Sequence, residues 1–124
     1  ALAINGSIPA PTLRFKKGDI AVINVKNETN ETTTLHWHGV LVPWEMDGPD
    51  RHIMPGQLVT FRFPIKHTGT FWYHSHTLLH EQSGLYGSIV IDDETNKFQA
   101  DHDRVVVLSD WTDEKPMTVL RNIK

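Results

Sequence analysis

Three observations predict an all-β fold for this chain, an antiparallel β-sandwich or a small β-barrel. Short runs of β-branched and aromatic residues recur along the chain, and Gly, Pro, Asn and Asp separate them. The length of 124 residues suits one domain with a buried core. Only residues 77–83 have the character of a helix, and this helix would be short. We therefore predict short strands packed as a sandwich or barrel, with at most one short helix.

The first half of the chain contains three predicted strands. Residues 13–15 form a short strand before a Lys-Gly-Asp turn. Residues 20–25 are mostly β-branched and apolar, as expected of a strand in the core. A polar loop leads to residues 35–39, which have aromatic and apolar residues around two histidines. A long irregular segment rich in Gly and Pro follows this third strand.

The second half contains four more predicted strands. Residues 58–65 alternate apolar and polar side chains, which is typical of a half-buried strand. Residues 70–76 follow a short turn and again have aromatic residues beside two histidines. The last two predicted strands, residues 87–91 and 104–108, lie on either side of a polar, acidic loop at residues 92–103.

Charge and composition exclude several classes of function. The formal net charge of −3 is unlike that of a nucleic-acid-binding protein, which needs a basic face. No apolar run approaches the ~20 residues that a membrane-spanning helix requires. The chain contains no cysteine, so it cannot form disulfides, thiolate nucleophiles, zinc–cysteine sites or a His–Cys blue-copper site. Any metal chemistry must therefore depend on imidazole and carboxylate groups.

Four of the eight histidines form two His-x-His pairs, His36 with His38 and His74 with His76. Residues i and i+2 of a strand point to the same face, about 6.6 Å apart. Two such pairs on neighbouring strands would form a patch of four imidazoles, and neutral imidazole binds zinc, copper, iron and nickel. The other histidines lack this pattern and are expected to be ordinary hydrogen-bonded or exposed residues: His52, His67, His80 and His102.

Two other kinds of metal site share part of this pattern. A cupin also contains His-x-His, but it places a Glu three or four residues further on. Here six residues separate His38 from Glu45, and no second cupin motif follows. A zinc hydrolase with three histidine ligands remains possible from the ligand count, but it gives no reason for two repeated pairs.

Five motifs occur in a fixed order: His36-Trp37-His38-Gly39, Met46-Asp47-Gly48, Pro55-Gly56, Gly69-Thr70-Phe71-Trp72-Tyr73-His74-Ser75-His76 and Gly84-Leu85-Tyr86-Gly87. In this order they resemble the first cupredoxin domain of the laccase-like multicopper oxidases. Residues 81–87 and 108–114 are similar to stretches of the bacterial copper-resistance branch. The resemblance runs from about Ile4 to the end of the chain. It implies one cupredoxin-like domain with a Greek-key topology over residues 1–124, the first domain of a multi-domain oxidoreductase.

The resemblance implies copper as the cofactor, bound in half of a type 2/type 3 trinuclear cluster that reduces O2 to water. By position, His36 corresponds to a type 2 ligand, and His38 and His74 to ligands of one type 3 copper. His76 corresponds to a ligand of the other type 3 copper. Asp47 matches the acidic residue that hydrogen-bonds cluster water and helps deliver protons, and it is the one catalytic residue predicted. The alternative for Asp47 is a plain Asp-Gly turn.

The resemblance also implies partners that this sequence does not contain. In the family, a last domain supplies the other four cluster histidines and the Cys–His type 1 site, so we expect this chain alone to be inactive as an oxidase. The partners would be the remaining cupredoxin domains, or a second copy of this chain related by a two-fold axis. The family implies a periplasmic or secreted location. The alternative function is a stand-alone copper-binding or storage module, including a homo-oligomeric one, without oxidase activity.

Overall fold

The computed structural model describes residues 1–95 and 100–124, and most of its regular structure is β-strand. Neither helix in this part of the chain has the length and apolar character that crossing a membrane requires. The elements are β1 (Ala10–Lys16), β2 (Ile20–Lys26), β3 (His36–His38), α1 (Trp44–Asp47), β4 (Leu58–Pro64), β5 (Gly69–His74), β6 (Tyr86–Asp92) and α2 (Pro116–Asn122).

The strands form two sheets, which confirms the predicted all-β class. The larger sheet has the order β1-β6-β5-β3, in which β1 runs parallel to β6 and the other neighbours are antiparallel. The smaller sheet is the antiparallel pair β2 and β4. The two metal-ligand motifs predicted from the sequence lie on neighbouring strands of the larger sheet, β3 and β5.

The core between the sheets is built around Trp37, whose side chain is fully buried. Its ring meets the ring of Phe61 edge-on, with centroids 5.1 Å apart, and lies 5.8 Å from that of Phe63. The indole N–H of Trp37 donates a hydrogen bond to the carbonyl oxygen of Met46, at 2.9 Å. Because successive residues of a strand point to opposite faces, burial of Trp37 directs both of its histidine neighbours to the outer face of the sheet.

The helical segments of the structure lie at other positions than the sequence analysis predicted. Residues 77–83 form a series of turns rather than a helix, because Leu78 has a φ of 46°, which a right-handed helix cannot contain. The structure instead has two short helical segments, the four-residue α1 and the seven-residue α2, at positions where the sequence analysis predicted none. Helix α2 begins at Pro116, a residue that favours the first helical position.

Residues 104–108 do not form the predicted seventh strand. This segment has the β-branched composition of a strand, but no strand pairs with it among the described residues. The side chains of Val106 and Leu108 are exposed. A β-branched run indicates that a segment fits a pleated surface, and it does not specify which backbone will pair with it. Within the polar loop predicted at residues 92–103, positions 96–99 lie outside the described residues.

Candidate metal centre

The pairing of β3 with β5 brings the two His-x-His pairs together. His36 lies opposite His74 in the antiparallel register, and His38 lies opposite Trp72. The side chains of these four residues therefore share the outer face of the sheet. The ring centroids of His36, His38 and His74 lie 5.3–5.4 Å from one another. The patch of imidazoles predicted from the sequence is present at this end of the sheet.

Three of the imidazoles converge closely enough to share a metal ion. One ring nitrogen each from His36, His38 and His74 lies within 4.8 Å of the other two. The closest approach joins His38 Nδ1 to His74 Nε2, at 3.1 Å. Two nitrogens bound to one ion at ordinary metal–nitrogen distances in a tetrahedral site lie about 3.3 Å apart. The donor set is imidazole alone, which suits copper, and its geometry fits a shared ion.

His76 lies at the edge of this group. It follows the end of β5, it is exposed, and its ring centroid is 5.8 Å from that of His36 and 6.1 Å from that of His74. Its backbone N–H donates a hydrogen bond to Thr34 Oγ1, at 3.0 Å. The structure thus gathers three of the four predicted ligands and leaves the fourth beside them, facing outwards.

Asp47 contacts the ring of His36 at Nδ1. His36 Nδ1 is 3.0 Å from the carbonyl oxygen of Asp47 and 3.3 Å from its Oδ1. Both of these oxygens only accept hydrogen bonds, so Nδ1 carries the proton and Nε2 is free to bind a metal. The predicted acidic residue therefore contacts a candidate ligand.

Glu81 occupies the equivalent position beside His74. His74 Nδ1 is 2.9 Å from Glu81 Oε2 and 2.8 Å from the carbonyl oxygen of Ser75. The sequence analysis did not identify Glu81 as a site residue. No spacing rule relates a carboxylate to a histidine seven positions earlier when a series of turns lies between them. The only signal was that Glu81 begins the stretch similar to the copper-resistance branch.

The environment of His74 keeps its imidazole neutral. Burial lowers the pKa of His74, the hydrogen bond to Ser75 and the charge of Glu81 act in the opposite direction, and the rings of His36 and His38 lower it further. The net effect is a pKa below the ordinary value for histidine. The neutral ring is the form that binds a metal, so His74 is ready to act as a ligand near neutral pH.

Trp72 packs against two of the candidate ligands. Its ring stacks on that of His74, with centroids 4.0 Å apart and planes 19° from parallel, and on that of His38, at 4.9 Å and 30°. The indole is partly exposed, so it forms the outer side of this stack. The two rings whose nitrogens approach to 3.1 Å are therefore aligned by one aromatic side chain.

The remaining histidines stand apart from the group, as expected from the sequence. His67 Nε2 accepts a hydrogen bond from the backbone N–H of Leu41, at 2.8 Å. His80 is buried, with Nε2 3.0 Å from Glu31 Oε2 and Nδ1 3.2 Å from Thr33 Oγ1. The side chains of the last two are exposed: His52 and His102.

Comparison with known proteins finds extensive similarity to one family. Residues 1–96 match the sequence profile of the family described as multicopper oxidase. Copper resistance protein A of Escherichia coli is 47% identical over the whole chain, and multicopper oxidase MmcO of Mycobacterium tuberculosis is 37% identical over 90% of it. The chain spans 21% and 23% of these two relatives, about a fifth of their length.

Solved structures show the same similarity. A multicopper oxidase from Campylobacter jejuni, described as a metallo-oxidase, superposes with a TM-score of 0.69 at 40% identity, over 75% of this chain and 21% of that one. The multicopper oxidase Fet3p, described as functioning in iron import, superposes with a TM-score of 0.83 at 29% identity, over 95% of this chain and 24% of that one.

Proposed function

This chain belongs to the multicopper oxidase family, and we propose that it supplies half of a type 2/type 3 trinuclear copper cluster. Copper is the cofactor of this family, and a chain without cysteine cannot form the thiolate ligand of a type 1 site. The observation that carries the proposal is the 3.1 Å approach of His38 Nδ1 to His74 Nε2, inside a group of three imidazoles.

Each histidine has a proposed role that agrees with its position. His38 and His74 would bind the same type 3 copper, because their nitrogens face each other. His36 would bind the type 2 copper through Nε2, since Asp47 occupies its Nδ1. His76 would bind the second type 3 copper, and its place at the edge of the group supports a metal completed by ligands from elsewhere.

Copper bound there would supply the electron transfers by which O2 is reduced to water. The residues of this chain would bind and orient the metal and provide protons. We propose that Asp47 helps to deliver protons, because its carboxylate contacts the candidate ligand His36 and is 38% exposed, so it can exchange protons with solvent.

The other ligands are proposed to come from outside this chain. The relatives are about five times as long as the part that this chain matches, so they contain further domains. Those domains, or a second copy of this chain, would provide the remaining four histidines, and a cysteine-containing domain would pass on the electrons. The relatives favour this function over a stand-alone copper store. We propose a periplasmic or secreted location, in keeping with the copper-resistance relatives.

Copper binding by single-site variants tests the proposal. Copper affinity would be measured at pH 7.5 by competition with a chelator, for the wild-type chain and for His36→Ala, His38→Ala and His74→Ala. His52→Ala is the matched control, because His52 is an exposed histidine outside the group. We expect each of the three variants to weaken copper binding and the control to keep the wild-type affinity.

Two results would contradict the proposal. Copper affinity that survives in His38→Ala and His74→Ala alike would show that the metal binds elsewhere. Preference for zinc over copper, together with hydrolysis of an ester substrate, would instead favour the zinc hydrolase.

A further inference from the structure

We propose that Glu81 is a positioning residue for His74, which orients this ligand and increases the basicity of its Nε2. The proposal rests on the proposed function, because it takes His74 as a copper ligand. Glu81 belongs to the series of turns at residues 77–84, which the sequence analysis did not connect with the site.

Two oxygens lie close to the same nitrogen of His74. His74 Nδ1 donates a hydrogen bond to the carbonyl oxygen of Ser75, at 2.8 Å, and the carboxylate oxygen Glu81 Oε2 lies 2.9 Å from Nδ1 as a charge contact. A carboxylate and a carbonyl oxygen can only accept, so the proton stays on Nδ1 and the lone pair on Nε2. Nε2 is the atom that faces His38 Nδ1. The carboxylate thus acts on the side of the ring opposite the proposed metal.

The candidate ligands His36 and His74 both have a carboxylate beside Nδ1. They lie opposite each other in the pairing of β3 with β5. Asp47 comes from the end of α1, whereas Glu81 comes from the turns after β5. A carboxylate on the uncoordinated nitrogen of a histidine ligand fixes the ring and makes it a stronger donor.

A hydrogen-bond network around the buried side chain of His80 fixes the turns that contain Glu81. The preceding residue, His80, points inwards, with Nε2 3.0 Å from Glu31 Oε2 and Nδ1 3.2 Å from Thr33 Oγ1. Thr33 Oγ1 lies 3.1 Å from Ser75 Oγ, between the second pair of histidines. This network ties the turns to the segment after β5. Glu81, whose side chain is 33% exposed, is thereby held against His74.

The test combines the state of the His74 ring with copper affinity. Long-range proton–nitrogen NMR on the metal-free chain would record the Nδ1–H resonance of His74 in wild type, Glu81→Leu and Glu81→Gln. We expect Glu81→Leu to move this resonance upfield and to weaken copper binding by about 10- to 100-fold. Glu81→Gln keeps the contact without the charge, so it should restore only part of the resonance shift and part of the affinity.

Glu94→Gln is the matched control, because Glu94 is far from His74. It follows the end of β6 that lies beside Gly69, at the start of β5, whereas His74 is at the other end of β5. It changes the charge by the same amount and should leave both readouts unchanged. An unchanged Nδ1–H resonance in Glu81→Leu would overturn the proposal. A changed resonance with a copper affinity within a factor of about two of wild type would overturn it as well.

The outcome can be separated from that of the proposed function. If His74→Ala binds copper as wild type does, the proposed copper site fails, whereas the NMR readout on metal-free protein still decides whether Glu81 holds the ring. If the circular dichroism spectrum shows that Glu81→Leu does not fold, Glu81→Gln is compared with Glu94→Gln instead. A changed resonance and weaker copper binding in Glu81→Gln alone support the proposal, and equal readouts in the two variants overturn it.

Discussion

Replacing Gly48 by alanine is expected to damage both the fold and the candidate metal centre. Gly48 ends helix α1 with a φ of 102°, and a Cβ built there would lie 1.8 Å from the carbonyl oxygen of Leu35. Gly48 follows Asp47, and Leu35 precedes His36. Relief of the clash must therefore move apart the two segments whose contact holds the His36 ring.

Gly56 provides the matched control, because it also has a positive φ, 77°, but nothing lies within 4 Å of the place that a Cβ would take there. A non-glycine residue in the left-handed region costs roughly 1–2 kcal/mol, so Gly56→Ala should lower the free energy of unfolding by about that amount. Gly48→Ala adds an overpacking cost of roughly 1–3 kcal/mol, which gives a total loss of about 2–5 kcal/mol.

Chemical denaturation of the metal-free chain would measure both losses, and copper competition at pH 7.5 would measure the effect on the site. We expect copper affinity to fall in Gly48→Ala and to stay unchanged in Gly56→Ala. Equal losses of stability in the two variants, or full copper affinity in a folded Gly48→Ala chain, would refute the reasoning.

Two further predictions concern the aromatic residues of β5. Trp72→Leu should weaken copper binding, because it removes the ring that stacks on His38 and His74, and chelator competition against Trp111→Leu as an exposed control would measure this. Burial raises the pKa of Tyr73 to about 12, and its hydroxyl donates to the carbonyl oxygen of Pro11 at 2.7 Å. In the unfolded chain the phenol ionises near 10, so between these pH values the folded state binds more protons and stability should fall as pH rises. Alkaline denaturation of wild type and Tyr73→Phe should show that this loss is smaller in the variant, and equal slopes would contradict it.

Sequence reasoning predicted the part of the site that follows from strand periodicity. His36, Trp37 and His38 alternate, so a buried Trp37 requires both histidines on the outer face, and β5 repeats the pattern with Tyr73 and His74. The family motifs assigned His38 and His74 to the same copper, and this assignment stays a proposal that the 3.1 Å approach of their ring nitrogens supports.

The sequence could not predict features that depend on contacts distant in the chain. Glu81 reaches His74 only because residues 77–84 fold back as turns, which a positive φ at Leu78 allows and a helix would not. The segment 104–108 has strand composition without a strand partner among the described residues. The composition of a segment indicates that it can pack as a strand, but it does not determine which strand it pairs with.

The most direct test of the central claim is the copper content per chain, measured after copper addition together with the mass in solution and O2 uptake. We expect copper bound in an amount below a full trinuclear cluster per chain, lost in His38→Ala, with no sustained O2 reduction by the chain alone. This follows from four candidate ligands and no cysteine. A monomeric chain that holds a complete trinuclear cluster and reduces O2 steadily, or one whose bound copper is unaffected by His38→Ala, would contradict the account.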